Sequence, residues 1–199
     1  MSTFTSAALL AGGKSRRMGF DKQLLHIEKN RIFKHIIPTL TKQFEEVIVV
    51  TDKPEIYGEM DVRVIKDIYP GHGPLSGIHA AVSESKSEYT YILACDMPKI
   101  DLNYINYMIQ IHKKTPFEAC VTKTAKGLEP FHGFYGKSGL TAMEEDLLAD
   151  KNAISSFLRK INTLYIPEET ARKYSPDLSI FRNLNTPKDY AAFLESAGA

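Results

Sequence analysis

Apolar residues in this chain fall into two kinds of run that alternate along it. Ser6 to Leu10, Val47 to Val50 and Tyr89 to Cys95 are short and nearly continuous, the mark of strands buried on both faces. Val62 to Ile65 is a shorter, alternating strand. Ala119 to Thr122, Phe131 to Tyr135 and Leu164 to Ile166 are further strand candidates. Between them lie segments of helical period. Ile32 to Phe44 sets apolar side chains at 32, 33, 36, 37, 40 and 44, with Pro38 placed to bend or shorten the helix. Leu75 to Val82 reads as a helix entered through Gly71-His72-Gly73-Pro74, and Leu102 to Ile111 as one that Asp101 caps. Leu140 to Leu148 and Ile154 to Ile161 are also helical, and Pro187 opens a terminal helix over Tyr190 to Leu194.

Strands alternating with helices predict an α/β fold: a three-layer, open, mostly parallel sheet. There is no internal repeat, low-complexity tract or linker, so the 199 residues are expected to make one domain. In open α/β sheets ligands bind beyond the carboxyl ends of the strands. The chemistry is therefore to be sought just after Leu10, Thr51, Ile65 and Cys95.

Composition narrows the partners. The hydrophobic share is 43% and the charged share 25%, ordinary for a globular chain, and the net charge is only +1. No whole-protein field draws it to nucleic acid or an acidic membrane, so an anion site has to be built locally. The two cysteines, Cys95 and Cys120, form no C-x-x-C pair, which speaks against a disulfide framework or structural zinc. Cys95 ends an apolar run and reads as a buried, inert thiol. The opening Met1-Ser2-Thr3-Phe4-Thr5-Ser6 lacks a basic n-region, and no apolar stretch reaches membrane-spanning length, so a cytoplasmic location is expected.

Distinctive residues stand at the expected strand ends. After Leu10 comes Ala11-Gly12-Gly13-Lys14-Ser15-Arg16-Arg17-Met18-Gly19-Phe20-Asp21-Lys22, with four basic residues in nine positions. Glycines let the backbone approach a ligand closely, and successive N–H groups there form an anion-binding nest. Arg offers planar multidentate contacts to phosphate and Lys a movable charge. Gly13-Lys14-Ser15 is not the end of a P-loop, because the glycine required five residues earlier is Ala8, inside the strand. A solvated basic turn is the plainer alternative. After Cys95 comes Asp96-Met97-Pro98. A carboxylate fixed at the end of a buried strand suits Mg²⁺, which takes one or two carboxylates plus phosphates and waters; it equally suits a turn cap. Asp67 to Gly77, through Gly73-Pro74-Leu75-Ser76-Gly77, is a Gly/Pro-rich loop running into a helix. Asp52 after Thr51 is either a nucleoside contact or a turn residue.

The stretch from Leu10 to Lys22 resembles the signature of the nucleotidyltransferases that attach nucleotides to molybdopterin. Its Leu-Ala-Gly-Gly form resembles the guanylyltransferase branch, where cytidylyltransferase relatives usually show Leu-Ala-Ala-Gly. Gly73 to Ile78, Glu129-Pro130-Phe131-His132-Gly133-Phe134-Tyr135 and Arg182-Asn183-Leu184-Asn185-Thr186-Pro187-Lys188-Asp189 resemble later blocks of that family, so the likeness spans nearly the whole chain. Phe131 and His132 depart from the commoner residues of their block, and Asp52 stands where the family often has Asn.

The resemblance implies a Rossmann-like nucleotidyltransferase fold, with a nucleotide-binding N-terminal part and an acceptor-binding C-terminal part. It implies that Leu10, Ala11, Gly12 and Gly13 lie against the nucleotide, with Asp52 and Asp67 on its nucleoside half. It places Arg17 and Lys22 on the phosphates, Lys22 neutralising charge at the reacting centre, and gives Asp96 the Mg²⁺. Asn183 and Asn185 would face the acceptor, although Asn-Thr-Pro followed by Asp is also a helix start. The implied reaction is attack of the terminal phosphate of molybdopterin on the α-phosphorus of GTP, releasing pyrophosphate. The implied partners are GTP, molybdopterin and, for delivery of the product, molybdenum enzymes or their chaperones. The rivals are a CTP-dependent relative, a transferase acting on a sugar phosphate or isoprenoid phosphate, and a nucleotide-sensing module without chemistry. The six histidines are scattered, none at zinc-ligand spacing, and the Tyr and Phe residues follow core periodicity without a stacking role.

Overall fold

The computed structural model describes residues 3–11, 32–58 and 60–196. Three strands form where the sequence demands burial on both faces: β1 (Ser6–Leu10), β2 (Glu46–Val50) and β4 (Tyr89–Ala94). The others are β3 (Arg63–Ile65), β5 (Ala119–Thr124), β6 (Gly127–Gly136) and β7 (Thr163–Pro167). Among the described residues they make one seven-stranded sheet in the order β3-β2-β1-β4-β6-β5-β7. Every pairing is parallel except the two made by β6, which runs antiparallel to β4 and β5.

Helices cover both faces. They are α1 (residues 32–40), α2 (Pro74–Glu84), α3 (Leu102–His112), α4 (Leu140–Leu148), α5 (Ile154–Leu158), α6 (Glu168–Ala171) and α7 (Pro187–Ser196). Strand alternation splits the core into two. Ala7, Leu9, Val47, Val49 and Leu93 pack with Ile32, Ile36 and Leu40 of α1 and Ile105 and Met108 of α3. Ala8, Leu10, Ile48, Val50 and Ile92 pack on the other face with Leu75 and Ile78 of α2, Met143 and Leu147 of α4 and Phe157 of α5. Each fully buried Leu or Ile contributes about 1.5–3 kcal/mol by leaving water. This burial on both faces is why the central runs carry no polar alternation, and the result is the expected three-layer, mostly parallel α/β sheet.

The departures from expectation are local. They exclude α1, which is shortened as Pro38 predicts, stopping at residue 40 and turning before Phe44. α5 ends at Leu158, not Ile161, because the Leu158 carbonyl is taken by the Thr163 hydroxyl at 2.7 Å and the Tyr165 hydroxyl at 3.0 Å. β6 is ten residues long and antiparallel, with a register shift against β5 between Cys120 and Thr122.

Two features set the place of the site. The chain runs from β1 outward through β2 to β3, then returns to lay β4 on the other side of β1, so the sheet's switch point lies between β1 and β4. In addition, Ile65, Val50, Leu10 and Ala94 form one rung across β3, β2, β1 and β4.

Candidate active site

That rung is the last of the ladder, and three backbone bonds extend it. Ala11 N–H donates to the Val50 carbonyl at 2.9 Å, Thr51 N–H to the Ile65 carbonyl at 3.0 Å, and Cys95 N–H to the Leu10 carbonyl at 3.1 Å. Asp67, Asp52 and Asp96 each stand two residues beyond it, after β3, β2 and β4, and Ala11 follows it from β1. The sheet therefore delivers three carboxylates and Ala11 to one edge. With strands spaced about 4.8 Å apart, β3 and β4 lie roughly 14 Å from each other, enough to seat a nucleoside triphosphate across the edge.

Asp67 keeps an acceptor oxygen unused. Its Oδ1 is shielded from water and has no hydrogen-bond partner among the described residues. Burial raises its pKa above the ordinary carboxylate value, and the Asp52 carboxylate adds to that. The nearby Ser76 hydroxyl offsets a part of the rise, although its proton goes to the Tyr69 carbonyl at 2.7 Å. Gly77, in the first turns of α2, leaves this space open: a Cβ there would stand 3.5 Å from a Leu10 methyl and 3.6 Å from Asp67 Oδ1. Leu10, Asp67 and Gly77 thus share one corner. The loop leading to it turns through Gly71 at φ +95° and Gly73 at φ +71°, a region that favours glycine, and Pro74 then starts α2. Asp52 lies exposed beside this corner.

Asp96 is half-buried at the other end of the edge, in a tight turn closed by Met97 N–H donating to the Ala94 carbonyl at 3.1 Å. Its own carbonyl accepts from Leu184 N–H at 2.7 Å. This bond brings the Asn183–Asn185 tail, distant in sequence, against the end of β4. Both asparagines are exposed. Thr186 and Asp189 use the helix-start alternative in full. The Asp189 carboxylate accepts from Thr186 N–H at 2.8 Å and Asn185 N–H at 3.1 Å, and the Thr186 hydroxyl accepts from Asp189 N–H at 3.2 Å. Hydrogen bonds from the Thr186 hydroxyl and these backbone groups hold the Asp189 pKa below its usual value. Both readings of this segment are therefore compatible: Thr186 and Asp189 start α7 and leave the asparagine side chains for other work.

Gly12, Gly13, Arg17 and Lys22 fall outside the described residues. Of the predicted positions, the structure gathers Leu10, Ala11, Asp52, Asp67 and Asp96 along one edge and joins Asn183 and Asn185 to it through Leu184. Three features escaped the sequence reading. Glu129, in the quoted Glu-Pro-Phe block, is half-buried opposite Thr122, and burial raises its pKa. A cavity of about 180 Å³ is lined by Pro98, Lys99, Ser179, Arg182, Leu184 and Phe193 among others, off the asparagine side of the tail. His132 is fully buried. Only the Glu-Pro motif signalled any of these. A larger cavity of about 430 Å³ between Phe33, Ile37, Ile56 and Met60 holds none of the predicted positions.

An open, mostly parallel sheet with Asp96 beside its switch point and Asp52 and Asp67 along the same edge, in a sequence whose glycine-rich basic run follows β1, has the frame of a nucleotide-binding α/β protein of the nucleotidyltransferase class. The model of the MobA-like NTP transferase domain matches residues 7–164, and the chain belongs to that family. A molybdenum cofactor guanylyltransferase from Syntrophotalea carbinolica is 43% identical over 94% of this chain and 89% of its own length. The fold is shared with molybdopterin-guanine dinucleotide biosynthesis protein A from Archaeoglobus fulgidus, at a TM-score of 0.77 and 24% identity over 98% of this chain and 99% of that one. It is also shared with 2-C-methyl-D-erythritol 4-phosphate cytidylyltransferase from Francisella tularensis, at a TM-score of 0.64 and 11% identity over 97% and 98%. Among the described residues no helix is long and apolar enough to cross a membrane.

Proposed function

We propose that this nucleotidyltransferase transfers GMP from GTP to the terminal phosphate of molybdopterin, releasing pyrophosphate and forming the guanine dinucleotide cofactor. The observation that carries the reading is the aspartate-lined edge at the switch point, in a chain whose relatives are named molybdenum cofactor guanylyltransferases. The nucleoside half lies toward Asp67 and Asp52, where the unpartnered Asp67 oxygen accepts from guanine N–H or ribose hydroxyl donors. Leu10 and Ala11 flank it, the triphosphate runs toward β4, and the family resemblance gives its contacts to Gly12, Gly13, Arg17 and Lys22. Asn183 and Asn185 present amide donors and acceptors to the pterin.

Asp96 is the residue that would hold Mg²⁺. The fit rests on its donor set: a half-buried carboxylate at a phosphate crevice. No group of three His, Cys, Asp or Glu side chains able to hold a metal occurs among the described residues. One carboxylate completed by phosphate oxygens and waters is ordinary Mg²⁺ chemistry, and the ion supplies charge neutralisation on the triphosphate. The acceptor phosphate is already anionic, so no general base is required. The protein's part is alignment of two anions and electrostatic stabilisation of the departing pyrophosphate. The work belongs in the cytoplasm, and the product passes to molybdenum enzymes or their chaperones.

Calorimetric titration of the purified protein with GTP, CTP and ATP, with and without Mg²⁺, tests this reading. GTP preference strengthened by Mg²⁺, with the strengthening lost in Asp96→Ala, is the expected outcome. Preference for CTP moves the protein to a cytidylyl activity, and binding of none of the three contradicts the reading.

A further inference from the structure

His132 is a buried titratable group that the proposed chemistry does not use. It lies within β6 where the pairing with β5 breaks: the register steps from Cys120 opposite Phe134 to Thr122 opposite Glu129, so residues 130–133 form a bulge against β5. Gly133 makes the bulge possible, since a Cβ there would stand 2.6 Å from the Cys120 carbonyl oxygen. His132 itself sits at φ +58°, a left-handed conformation that a histidine adopts only where its surroundings hold it. The turn drives its ring inward, to 1% exposure.

The ring meets the three segments that converge under Asp96. Nδ1 lies 2.8 Å from the Tyr91 hydroxyl of β4, itself fully buried. The ring packs edge-on to Phe181, at the head of the 181–185 tail, with centroids 6.0 Å apart. On the remaining side is the backbone of Met97, the residue after Asp96, and the buried Nε2 has no hydrogen-bond partner among the described residues. Burial pushes its pKa down to about 3 against a smaller upward pull from that backbone, so the ring is neutral and moves no proton at ordinary pH. An apolar side chain would fill such a place at lower desolvation cost. A polar pair inside an apolar cluster instead fixes one geometry.

We propose that His132 is a positioning residue that holds the 181–185 tail on β4 through Tyr91 and Phe181, and through the Leu184–Asp96 backbone bond sets where the Asp96 carboxylate and the tail asparagines stand. The inference rests on the reading that Asp96 works at the reacting phosphates. His132→Gly removes the ring and relieves the left-handed backbone. His132→Asn keeps a residue tolerant of that backbone and an amide in place of Nδ1. The readouts are kcat, the Mg²⁺ concentration at half-maximal rate, metal-free GTP affinity, and Mn²⁺ binding to the protein–GTP complex followed by electron paramagnetic resonance.

At a temperature where all variants are folded, His132→Gly is expected to lower kcat by about tenfold to a hundredfold, since small misplacements at a reacting centre have effects of that size. It should weaken both metal readouts and leave metal-free GTP affinity unchanged, and His132→Asn should recover most of the loss. A variant that melts earlier but keeps the wild-type kcat and Mn²⁺ affinity would reduce His132 to packing and overturn the inference. Wild-type protein that binds Mn²⁺ and GTP without transferring GMP would sink the functional reading alone. The Mn²⁺ comparison would then still decide the role of His132.

Discussion

The Asp67 carboxyl sits at the sheet edge with one oxygen shielded and unpartnered, beside a second carboxylate at Asp52. Holding an ionised carboxylate there costs stability. Its sign is testable. A folded-state pKa above the unfolded one means that the unfolded chain ionises first. The cost is absent at pH below the unfolded carboxyl value and grows as pH rises through the raised folded value. Asp67→Asn should therefore melt about 2–4 °C higher than wild type at neutral pH, with the gain vanishing in acid. The same variant should bind GTP about tenfold more weakly, because a hydrogen bond to a charged acceptor is lost. Thermal scans across pH, paired with calorimetry, check both. Asp189 has the opposite sign: its pKa is lowered, and its contribution is lost as pH falls through the folded value. Gly133→Ala forces a Cβ into the Cys120 carbonyl and should destabilise by about 2–4 kcal/mol in denaturant titration.

Elements divide by how local their causes are. β1, β2 and β4 are legible as unbroken apolar runs, and α3 as a periodic segment with Asp101 before it. In the structure Asp101 Oδ1 accepts from Tyr104 N–H at 2.9 Å, as a cap should. Asp101→Ala is expected to lower stability by about 1 kcal/mol, leaving GTP affinity as it was, in paired denaturation and binding measurements. The end of α5 was not legible, because it depends on Thr163 and Tyr165 reaching back to the Leu158 carbonyl from the next strand. Nor was the bulge of β6. Nothing in Phe131-His132-Gly133 announces that Gly133 will press on Cys120 and turn His132 into the core, since that follows from register between strands. Tyr91, Tyr104 and Phe134, which follow core periodicity in the sequence, are all buried.

At the scale of the whole molecule, the strand order converts spacing along the chain into a site. Asp52, Asp67 and Asp96 are scattered in sequence, yet each stands two residues past a common rung. The strand-end rule made their candidacy legible, but not their shared height, which needs the register. The link from Asp96 to Leu184 was likewise beyond the sequence, being a backbone bond between distant segments. Because Asp96 belongs to the end of a strand and not to the core, Asp96→Ala should keep the wild-type melting temperature within about 2 °C. It should also cut turnover by about a hundredfold to a thousandfold, the usual effect of removing a group that stabilises transition-state charge.

The fold alone does not choose the nucleotide, since a cytidylyltransferase shares it. The most direct measurement is a competition: purified protein, molybdopterin and Mg²⁺ with equimolar GTP and CTP, the dinucleotide products resolved by mass spectrometry and pyrophosphate followed in parallel. The guanine dinucleotide is expected as the dominant product, formed with stoichiometric pyrophosphate. A cytosine dinucleotide, or no transfer by protein that is folded and binds nucleotide, would contradict it.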